Sequence, residues 1–359
     1  MTNRENALAI LNYQSYDRVP VVHFGFWNET LDKWVAEGHL LPHEKNERAA
    51  AAKLGFDFGW NPCASINAGL RPGFAREVIK DFGDGTRHVR NGCGVVELVR
   101  DGAGSIPQEI AHTLVDRASW EKHYLPRLQF SADRLPHIDD FGEDMPRGLH
   151  VGSLYGEFRN WAGVTGTSYL YADDEDLYAE IINTIGQLHV DCLEQALAMF
   201  EPNTFDYAHF WEDICFKTGP LVVPAIFDEL VGPHYKRMTT LLAQVGINIV
   251  SLDCDGLIDS LLPTWLHNGV NTMFPIEVGT WDASIAPWRE QYGRELRGVG
   301  GMNKTVFAHD FAAIDAEIAR LKELVKLGGY LPCPDHRIAP DAKWENVVYY
   351  VNKMKETFS

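Results

Sequence analysis

The sequence predicts an α/β fold: a single (β/α)8 barrel of the TIM type with an inserted β-hairpin. Eight short apolar runs, rich in β-branched and aromatic residues, alternate with amphipathic segments, which is the pattern of parallel strands joined by helices. A chain of 359 residues suits one barrel domain over residues 1–359, because α/β barrels of this size fold as one unit. Ten tryptophans and 45% apolar residues supply a large core.

The predicted elements follow one another along the whole chain. The strands are expected at 19–24, 56–60, 149–154, 204–210, 247–253, 270–276, 296–301 and 328–333. Helices are expected at 176–200 and 311–328, and a last one at 342–358 closes the ring. Residues 77–101 interrupt this alternation, and the turn sequence GDGT between alternating segments predicts the inserted hairpin there.

Charge and cysteine usage exclude several classes of protein. A formal net charge of −18 disfavours binding to nucleic acid or to an anionic membrane surface, since both require a basic face. Six cysteines are scattered without a CxxC pair, which is typical of reduced thiols. The amino-terminal residues lack a signal-peptide pattern, and no apolar run approaches the roughly 20 residues that span a bilayer. We therefore expect a soluble, cytoplasmic protein.

Polar side chains follow four of the predicted strands, at the ends that point into the active site of a barrel. They are His209, Glu212, Asp213, Asp253, Asp255, Glu277, Cys333, Asp335 and His336. This recurrence predicts a site at the carboxyl-terminal mouth of the barrel. The alternative for each residue is that it caps the helix that follows.

Aromatic residues lie at or just beyond the same strand ends. They are Trp27, Trp60, Tyr155, Phe158, Trp161, Phe210 and Trp211. Each is either part of the core or part of a wall that would suit a flat or methylated organic substrate. The glycine-rich GVGG at 298–301 matches neither dinucleotide-binding nor P-loop patterns, and Cys254 and Cys333 are open to interpretation as ordinary buried thiols.

The segments DRVPVVHFGFWNETLDKWVAEG, SLDCDG, PIEVGTWD, YGRELRGVGGMNK and GGYLPCPDHRIAPDAKWENVVYY resemble the uroporphyrinogen decarboxylase superfamily. WEDICFKTGPLVVPAIFDELVGPHYKRM resembles it too, and the match extends over nearly the whole chain. The resemblance implies a (β/α)8 barrel. It also implies one of two activities found in that superfamily, decarboxylation or cobalamin-dependent methyl transfer.

Two departures from the superfamily's motifs favour methyl transfer of the demethylating type. True decarboxylases carry arginine just after the first strand, but HFGFWNETLDKW contains none. Thiol-methylating relatives bind zinc through a His-x-Cys pair and a later cysteine. Asp253 and Asp255 stand in place of the pair, and His336 is nearest to the later ligand, with Cys333 close by. Carboxylates and imidazole form a harder site than thiolates do.

The resemblance therefore implies an enzyme that moves a methyl group from a small O- or N-methylated compound, such as a methoxylated aromatic, to the cobalt of a corrinoid protein. Cobalamin is then carried by that partner, and the alternative activity is decarboxylation of an organic acid. The expected catalytic residues are Glu212, Asp213 and Asp255. The expected zinc ligands are His336, Asp255 and Cys333. The expected substrate-binding residues are Trp27, Tyr155, Phe158, Trp211 and Glu277.

Strand geometry adds one expectation about SLDCDG. Side chains alternate along a strand, so Asp253 and Asp255 share one face and Cys254 points to the other. Asp255 is expected to point into the site. The alternative is that it hydrogen-bonds within its own turn before Gly256.

Overall fold

A parallel sheet forms the centre of the molecule. The computed structural model describes residues 1–102, 107–138 and 144–359. Within them a seven-stranded sheet has the order β15-β14-β13-β12-β9-β8-β3, and every neighbouring pair is parallel. These strands are Ala64–Ser65 (β3), Gly148–His150 (β8), Tyr207–Trp211 (β9), Ile249–Asp253 (β12), Thr272–Phe274 (β13), Arg297–Met302 (β14) and Tyr330–Pro334 (β15). A separate parallel pair joins Val22–His23 (β1) to Phe58–Gly59 (β2).

Each of the eight predicted strand positions overlaps an observed strand, and the mixed α/β class with a large parallel sheet is confirmed. Beyond β1 and β15, Phe26 and Ile338 form an isolated parallel bridge, and the Trp27 N–H donates to the Ile338 carbonyl at 3.1 Å. These contacts bring the first and last strands of the chain together. The closed eight-stranded ring itself stays a prediction.

Helices connect the parallel strands, as crossovers between such strands require. They are Asn3–Leu11 (α1), Asn28–Ala36 (α2), Glu47–Leu54 (α3), Arg117–Ser119 (α4), Gly156–Asp173 (α5), Glu175–Leu197 (α6), Pro224–Leu230 (α7), Gly232–Gln244 (α8), Leu262–His267 (α9), Val278–Trp281 (α10), Ile285–Tyr292 (α11), Phe311–Val325 (α12) and Trp344–Thr357 (α13). In α12 the apolar side chains of Ile314, Ile318 and Leu321 are buried at helical spacing, and Asp310 caps the amino end through the Ala313 N–H.

The insertion is larger than a hairpin. Glu77–Asp81 (β4), Thr86–Arg90 (β5), Val95–Arg100 (β6) and Gln108–His112 (β7) form an antiparallel sheet in chain order. Three of these strands lie within the predicted span of 77–101, and β7 extends the sheet beyond it. Val78, Ile79 and Ile110 are exposed on the outer strands, so this sheet contributes little to the core.

Two short strands, Cys215–Phe216 (β10) and Gly219–Pro220 (β11), form an antiparallel pair after β9. All six cysteines are free thiols. No helix in the described part of the chain has the length and apolar character needed to cross a membrane.

Candidate functional site

Four carboxylates meet at the carboxyl ends of β9, β12 and β13. Asp213 follows β9, Asp253 ends β12, Asp255 lies two residues further on, and Glu277 follows β13. We call these four residues the carboxylate cluster. The Asp255 charge acts on each of the other three, so the four carboxylates lie in one electrostatic neighbourhood. Cys254 is buried on the opposite side, where its Sγ accepts from the Ile214 N–H at 3.4 Å.

Burial and mutual repulsion favour protonation of this cluster. Burial raises the pKa of Asp253 well above its ordinary range, and the charges of Asp255 and Asp213 raise it further. Burial and the Asp255 charge also raise the pKa of Glu277, against the lowering effect of a hydrogen bond from the Gly256 N–H at 2.6 Å. The pKa of Asp213 is raised by burial, and the nearby Arg159 guanidinium opposes that shift. Asp213, Asp253 and Glu277 can therefore hold protons at a pH where isolated carboxylic acids are ionised.

Three cations surround the cluster without neutralising it completely. Arg159 Nη2 donates to Asp213 Oδ2 at 3.2 Å, and the charge of Arg337 acts on Asp253. Lys304 is largely buried, which lowers its pKa, while the charges of Asp335, Asp255 and Glu277 partly restore it.

His336 joins the cluster to an aromatic wall. Its Nε2 lies 3.4 Å from Asp255 Oδ2, while Asp255 Oδ1 and His336 Nδ1 are buried atoms without a hydrogen-bond partner. The imidazole stacks on Trp27 with ring centroids 5.5 Å apart, and the Phe24 ring meets it edge-on at 5.5 Å. Phe24 in turn contacts Phe274 at 4.4 Å. The site thus has one polar side and one flat apolar side, as small-molecule pockets commonly do.

The backbone turns sharply where the carboxylates emerge. Gly256 has φ +90°, and a Cβ there would lie 2.8 Å from the Cys215 carbonyl carbon. Only glycine adopts this conformation beside such close backbone without strain. Asp213 has φ +49°, a left-handed conformation that Asp tolerates better than most residues, and its carbonyl accepts from Arg159 Nη2 at 2.9 Å. The turn at Gly256 directly follows Asp255, and the turn at Asp213 follows β9. Both turns therefore lie where residues of the carboxylate cluster leave their strands.

Neutral histidines line the sheet next to the aromatic wall. His209 Nδ1 lies 2.6 Å from Ser251 Oγ, and its ring meets Phe274 at 5.7 Å and His150 at 5.9 Å. Burial lowers the pKa of His209 to about 3 and that of His150 to about 4. A cavity of ≈ 460 Å³ lies beside His150; its lining residues are Pro62, Cys63, Ala64, Ser65, His137 and His150.

Glu212 lies outside the carboxylate cluster and caps a helix. Its carboxylate accepts from the N–H groups of Leu154, Tyr155 and Gly156 at 2.6–2.9 Å, at the start of α5. Ser153 Oγ donates to it at 3.0 Å, and the Tyr235 hydroxyl donates as well. Burial raises its pKa, and these hydrogen bonds oppose the shift. This is the capping alternative for Glu212, and the geometry gives the predicted catalytic role no support.

Three other predicted residues, Tyr155, Phe158 and Cys333, are buried in the core. The Tyr155 hydroxyl is 2.8 Å from that of Tyr178, and Phe158 packs against both rings among the helices. Cys333 is fully buried, and burial raises the pKa of its thiol well above the ordinary value. Trp211, by contrast, lies beside the cluster, because the Arg159 guanidinium sits 5.9 Å from its ring centroid.

The predicted zinc ligands do not converge. Within residues 1–102, 107–138 and 144–359, no three or more His, Cys, Asp or Glu side chains are grouped closely enough to hold a metal ion. Zinc sites use three or four protein ligands. Of the three predicted ligands, His336 and Asp255 are adjacent at 3.4 Å, while Cys333 is fully buried. The residues do not fit a zinc centre as arranged, and zinc stays a prediction.

Several residues of this region were not predicted from the sequence. His23 and His150 end β1 and β8, so the strand-end argument could have included them. Arg337 directly follows His336, and Lys304 Nζ donates to its carbonyl at 3.2 Å. No sequence pattern indicated Arg159, because its position beside Asp213 depends on how helix α5 packs.

Comparisons with known proteins support the fold. Neither the protein-family models nor the curated proteins contain a match to this chain. Among solved structures, a methyltransferase from Methanosarcina mazei has a TM-score of 0.61 at 15% identity, with 99% of each chain covered. A provisionally assigned vitamin-B12 independent methionine synthase from Listeria monocytogenes has a TM-score of 0.38 at 13% identity, over 96% of this chain and 97% of that one. At these identities the first likeness shows a shared fold, and the second carries no argument.

Proposed function

We propose that this protein is an enzyme that transfers a methyl group from a small O- or N-methylated compound to the cobalt of a corrinoid protein. The observation that carries the proposal is the carboxylate cluster, in which the pKa values of Asp213, Asp253 and Glu277 are raised, beside the aromatic wall of Trp27, Phe24 and Phe274. The wall suits a flat or methylated group, and the cluster offers protons to a heteroatom next to it. The fold shared with the Methanosarcina methyltransferase agrees with this proposal.

The methylated donor requires a proton on its oxygen or nitrogen atom before the methyl group can leave. When the methyl carbon leaves, its bonding electron pair stays on the oxygen or nitrogen, which is a poor leaving group until it is protonated. Asp253 would hold that proton on a carboxyl oxygen, since its pKa is raised well above the ordinary value. A reduced corrinoid held by the partner protein would supply the nucleophile for the methyl carbon, and the electron pair of the carbon–heteroatom bond would stay on the protonated heteroatom.

Other residues would position the substrate. Asp255 orients His336 through their 3.4 Å contact, and Trp27 stacks on the imidazole. Glu277 is fixed by the Gly256 N–H and by Thr280 Oγ1 at 3.0 Å. We propose that the parallel strands close into a (β/α)8 ring around this group, with the mouth open to the corrinoid partner and the protein located in the cytoplasm.

The same group disfavours decarboxylation of an organic acid. A carboxylate substrate would add a further negative charge beside four carboxyl groups whose mutual repulsion already raises the pKa of Asp213, Asp253 and Glu277. Arg337 and Lys304 offset only part of this charge. Neutral or cationic methylated compounds meet no such repulsion.

The test is a direct assay for methyl transfer. The purified protein is mixed with chemically reduced cobalamin and, separately, with methoxylated aromatics and methylamines, and absorbance follows the formation of methylcobalamin. We expect a rate above the protein-free reaction with at least one class of donor. Failure with every donor, both with free cobalamin and with corrinoid proteins from methylotrophic anaerobes, would contradict the proposal.

A further inference from the structure

We propose that three arginines around Tyr13 bind a small phosphate-bearing anion at the amino-terminal ends of the parallel strands. Arg289 belongs to α11, Arg294 follows it, and Arg297 begins β14. Their guanidinium carbons lie 4.8, 5.2 and 5.7 Å from the centre of the Tyr13 ring. We call these four residues the arginine cluster.

Within the described residues, the three arginines of the cluster form no ion pair with a carboxylate. Arginines elsewhere in the described chain pair with acids, for example Arg4 with Asp206 and Arg320 with Glu317. Among the described residues, no carboxylate oxygen lies within 4.0 Å of a guanidinium nitrogen of Arg289, Arg294 or Arg297. The positive charge of all three arginines acts on the Tyr13 hydroxyl and opposes the rise that burial causes in its pKa. In a chain of net charge −18, such a concentration of positive charge requires a reason.

Two of the arginines are held in place by backbone carbonyls. Arg289 Nη1 and Nη2 donate to Gly328 and Leu327 at 2.6 and 3.1 Å, and Arg297 Nε donates to Leu11 at 2.7 Å. The remaining N–H groups of these two guanidinium groups, including the buried Arg289 Nε, have no hydrogen-bond partner in the described residues. The exposed Arg294 contacts Tyr13 and is free to fold over a ligand. The anchored guanidinium groups of Arg289 and Arg297 and the movable guanidinium group of Arg294 form a prearranged anion site.

Tyr13 is fixed in the middle of the cluster by an unusual backbone. It has φ +58°, and its hydroxyl donates to the Leu296 carbonyl at 2.9 Å. Gly329 leaves room for the ring, since a Cβ there would lie 2.3 Å from the Tyr13 Cζ atom. A bulky residue in the left-handed region is strained and persists only when its surroundings hold it there. The ring separates the three guanidiniums while it attracts each of them.

A cavity beside the arginine cluster has room for a phosphate ester. Its volume is ≈ 560 Å³, and its lining residues are Leu266, Gly269, Asn271, Arg294, Glu295 and Arg297. The Asn271 side-chain amide already donates to the Asn248 carbonyl at 2.9 Å and accepts from the Val250 N–H at 3.1 Å, so Arg294 and Arg297 are the ligand-binding groups of this lining, while Glu295 limits the negative charge that the cavity accepts. Guanidinium forks match phosphate oxygens in pairs, and such charge-assisted hydrogen bonds are among the strongest in proteins. A compact phosphate or pyrophosphate group therefore fits better than an extended polyanion.

The experiment is isothermal titration calorimetry of the intact protein with inorganic phosphate and with pyrophosphate, at low ionic strength. We expect one saturable site in the parent protein. Arg294→Ala should weaken it on the order of ten-fold, the loss of one charge-assisted contact of about 1.4 kcal/mol. Arg48→Ala, which removes an exposed arginine from α3, is the matched control and should bind like the parent.

Vesicles that contain phosphatidic acid form a second arm, which distinguishes a lipid headgroup from a free phosphate. Tighter binding to pyrophosphate than to vesicles identifies a free anion, and the reverse order identifies a headgroup; both support the site if Arg294→Ala weakens them. The proposal is overturned if the parent shows no saturable binding to any of these probes. Equal affinity in the parent and in Arg294→Ala overturns it too.

Discussion

The two ends of the parallel sheet both concentrate like charge, but they relieve the repulsion in different ways. At the carboxyl ends, Asp213, Asp253, Asp255 and Glu277 crowd together in a partly buried space. At the amino ends, the arginine cluster surrounds the ring of Tyr13. A carboxylate can accept a proton when its pKa is raised, whereas a guanidinium stays charged at every pH at which proteins are stable.

This difference assigns a chemical role to each end. Repulsion among the carboxylates is relieved by a proton, and in our proposal the carboxyl end donates that proton to the substrate. Repulsion among the arginines is relieved only by the aromatic ring or by an anion from outside, so the amino end favours a ligand. The predictions below test this contrast, starting with the largest expected effect.

The largest effect should follow loss of the stored proton. Asp253→Asn removes the carboxyl group but keeps its shape, and we expect the rate of methyl transfer to fall about 100-fold or more, as for other general acids. The exposed Glu290→Gln on α11 is the control and should keep the parent rate. The measurement is the initial rate of methylcobalamin formation. An Asp253→Asn rate equal to that of the parent would remove the acid role.

The acid also predicts a pH profile. The active form is protonated, so the rate should be highest on the acidic side and should fall as pH rises through the raised pKa of Asp253. Asp253→Asn should lack this decline.

Glu212 should affect stability rather than chemistry. Its carboxylate accepts from three N–H groups at the start of α5 and from two hydroxyl groups, and Glu212→Ala would leave those buried donors unpaired. We expect the free energy of unfolding to fall by about 3 kcal/mol in a denaturant titration. Glu212→Gln keeps the shape and should retain the parent rate of methyl transfer in the folded fraction. A catalytic loss in Glu212→Gln at unchanged stability would restore the role that the sequence predicts.

The sequence predicts the strands well because each is a short apolar run that ends in polar residues. It predicts the helix α12 for a similar reason, since Ile314, Ile318 and Leu321 recur at helical spacing. The full extent of the insertion is harder to predict from the sequence, because β7 is short and exposed and shows no apolar alternation.

Site residues are harder to predict than strands. The face of the sheet on which a residue at a strand end lies depends on the register of that strand. Trp211 and Glu212 are neighbours in sequence, yet alternation places them on opposite faces of the sheet, and one lies beside Arg159 while the other caps α5. Polarity alone cannot separate these two cases. The partners of Asp213 and Asp253, Arg159 and Arg337, come from distant parts of the chain, and only folding brings them together.

A smaller effect concerns stability at the carboxyl end. Asp253 has a raised pKa in the folded protein, so the folded state binds its proton more tightly than the unfolded state does. That contribution is complete below the unfolded pKa of about 4 and is lost as pH rises through the folded pKa. Asp253→Asn should therefore stabilise the protein by about 1 kcal/mol at pH 8 and by nothing at pH 4. Thermal melts at both values of pH measure it, and an equal effect at both would contradict the shift.

The smallest effect should come from the amino end, where the charges are nearer to solvent. Arg294 is exposed and has no hydrogen bond or ion pair with the described residues, so its removal exchanges its cation–π contact with Tyr13 for less repulsion from Arg289 and Arg297. We expect Arg294→Ala to change the free energy of unfolding by no more than about 0.5 kcal/mol without phosphate, as for most surface substitutions. Added phosphate should then stabilise the parent more than the variant, because a ligand that binds the folded state alone raises its stability by mass action. Melting temperatures with and without phosphate, measured at constant ionic strength, separate specific phosphate binding from general charge screening. An equal rise in the parent and in the variant would show that the two ends of the sheet do not differ in how charge repulsion is relieved.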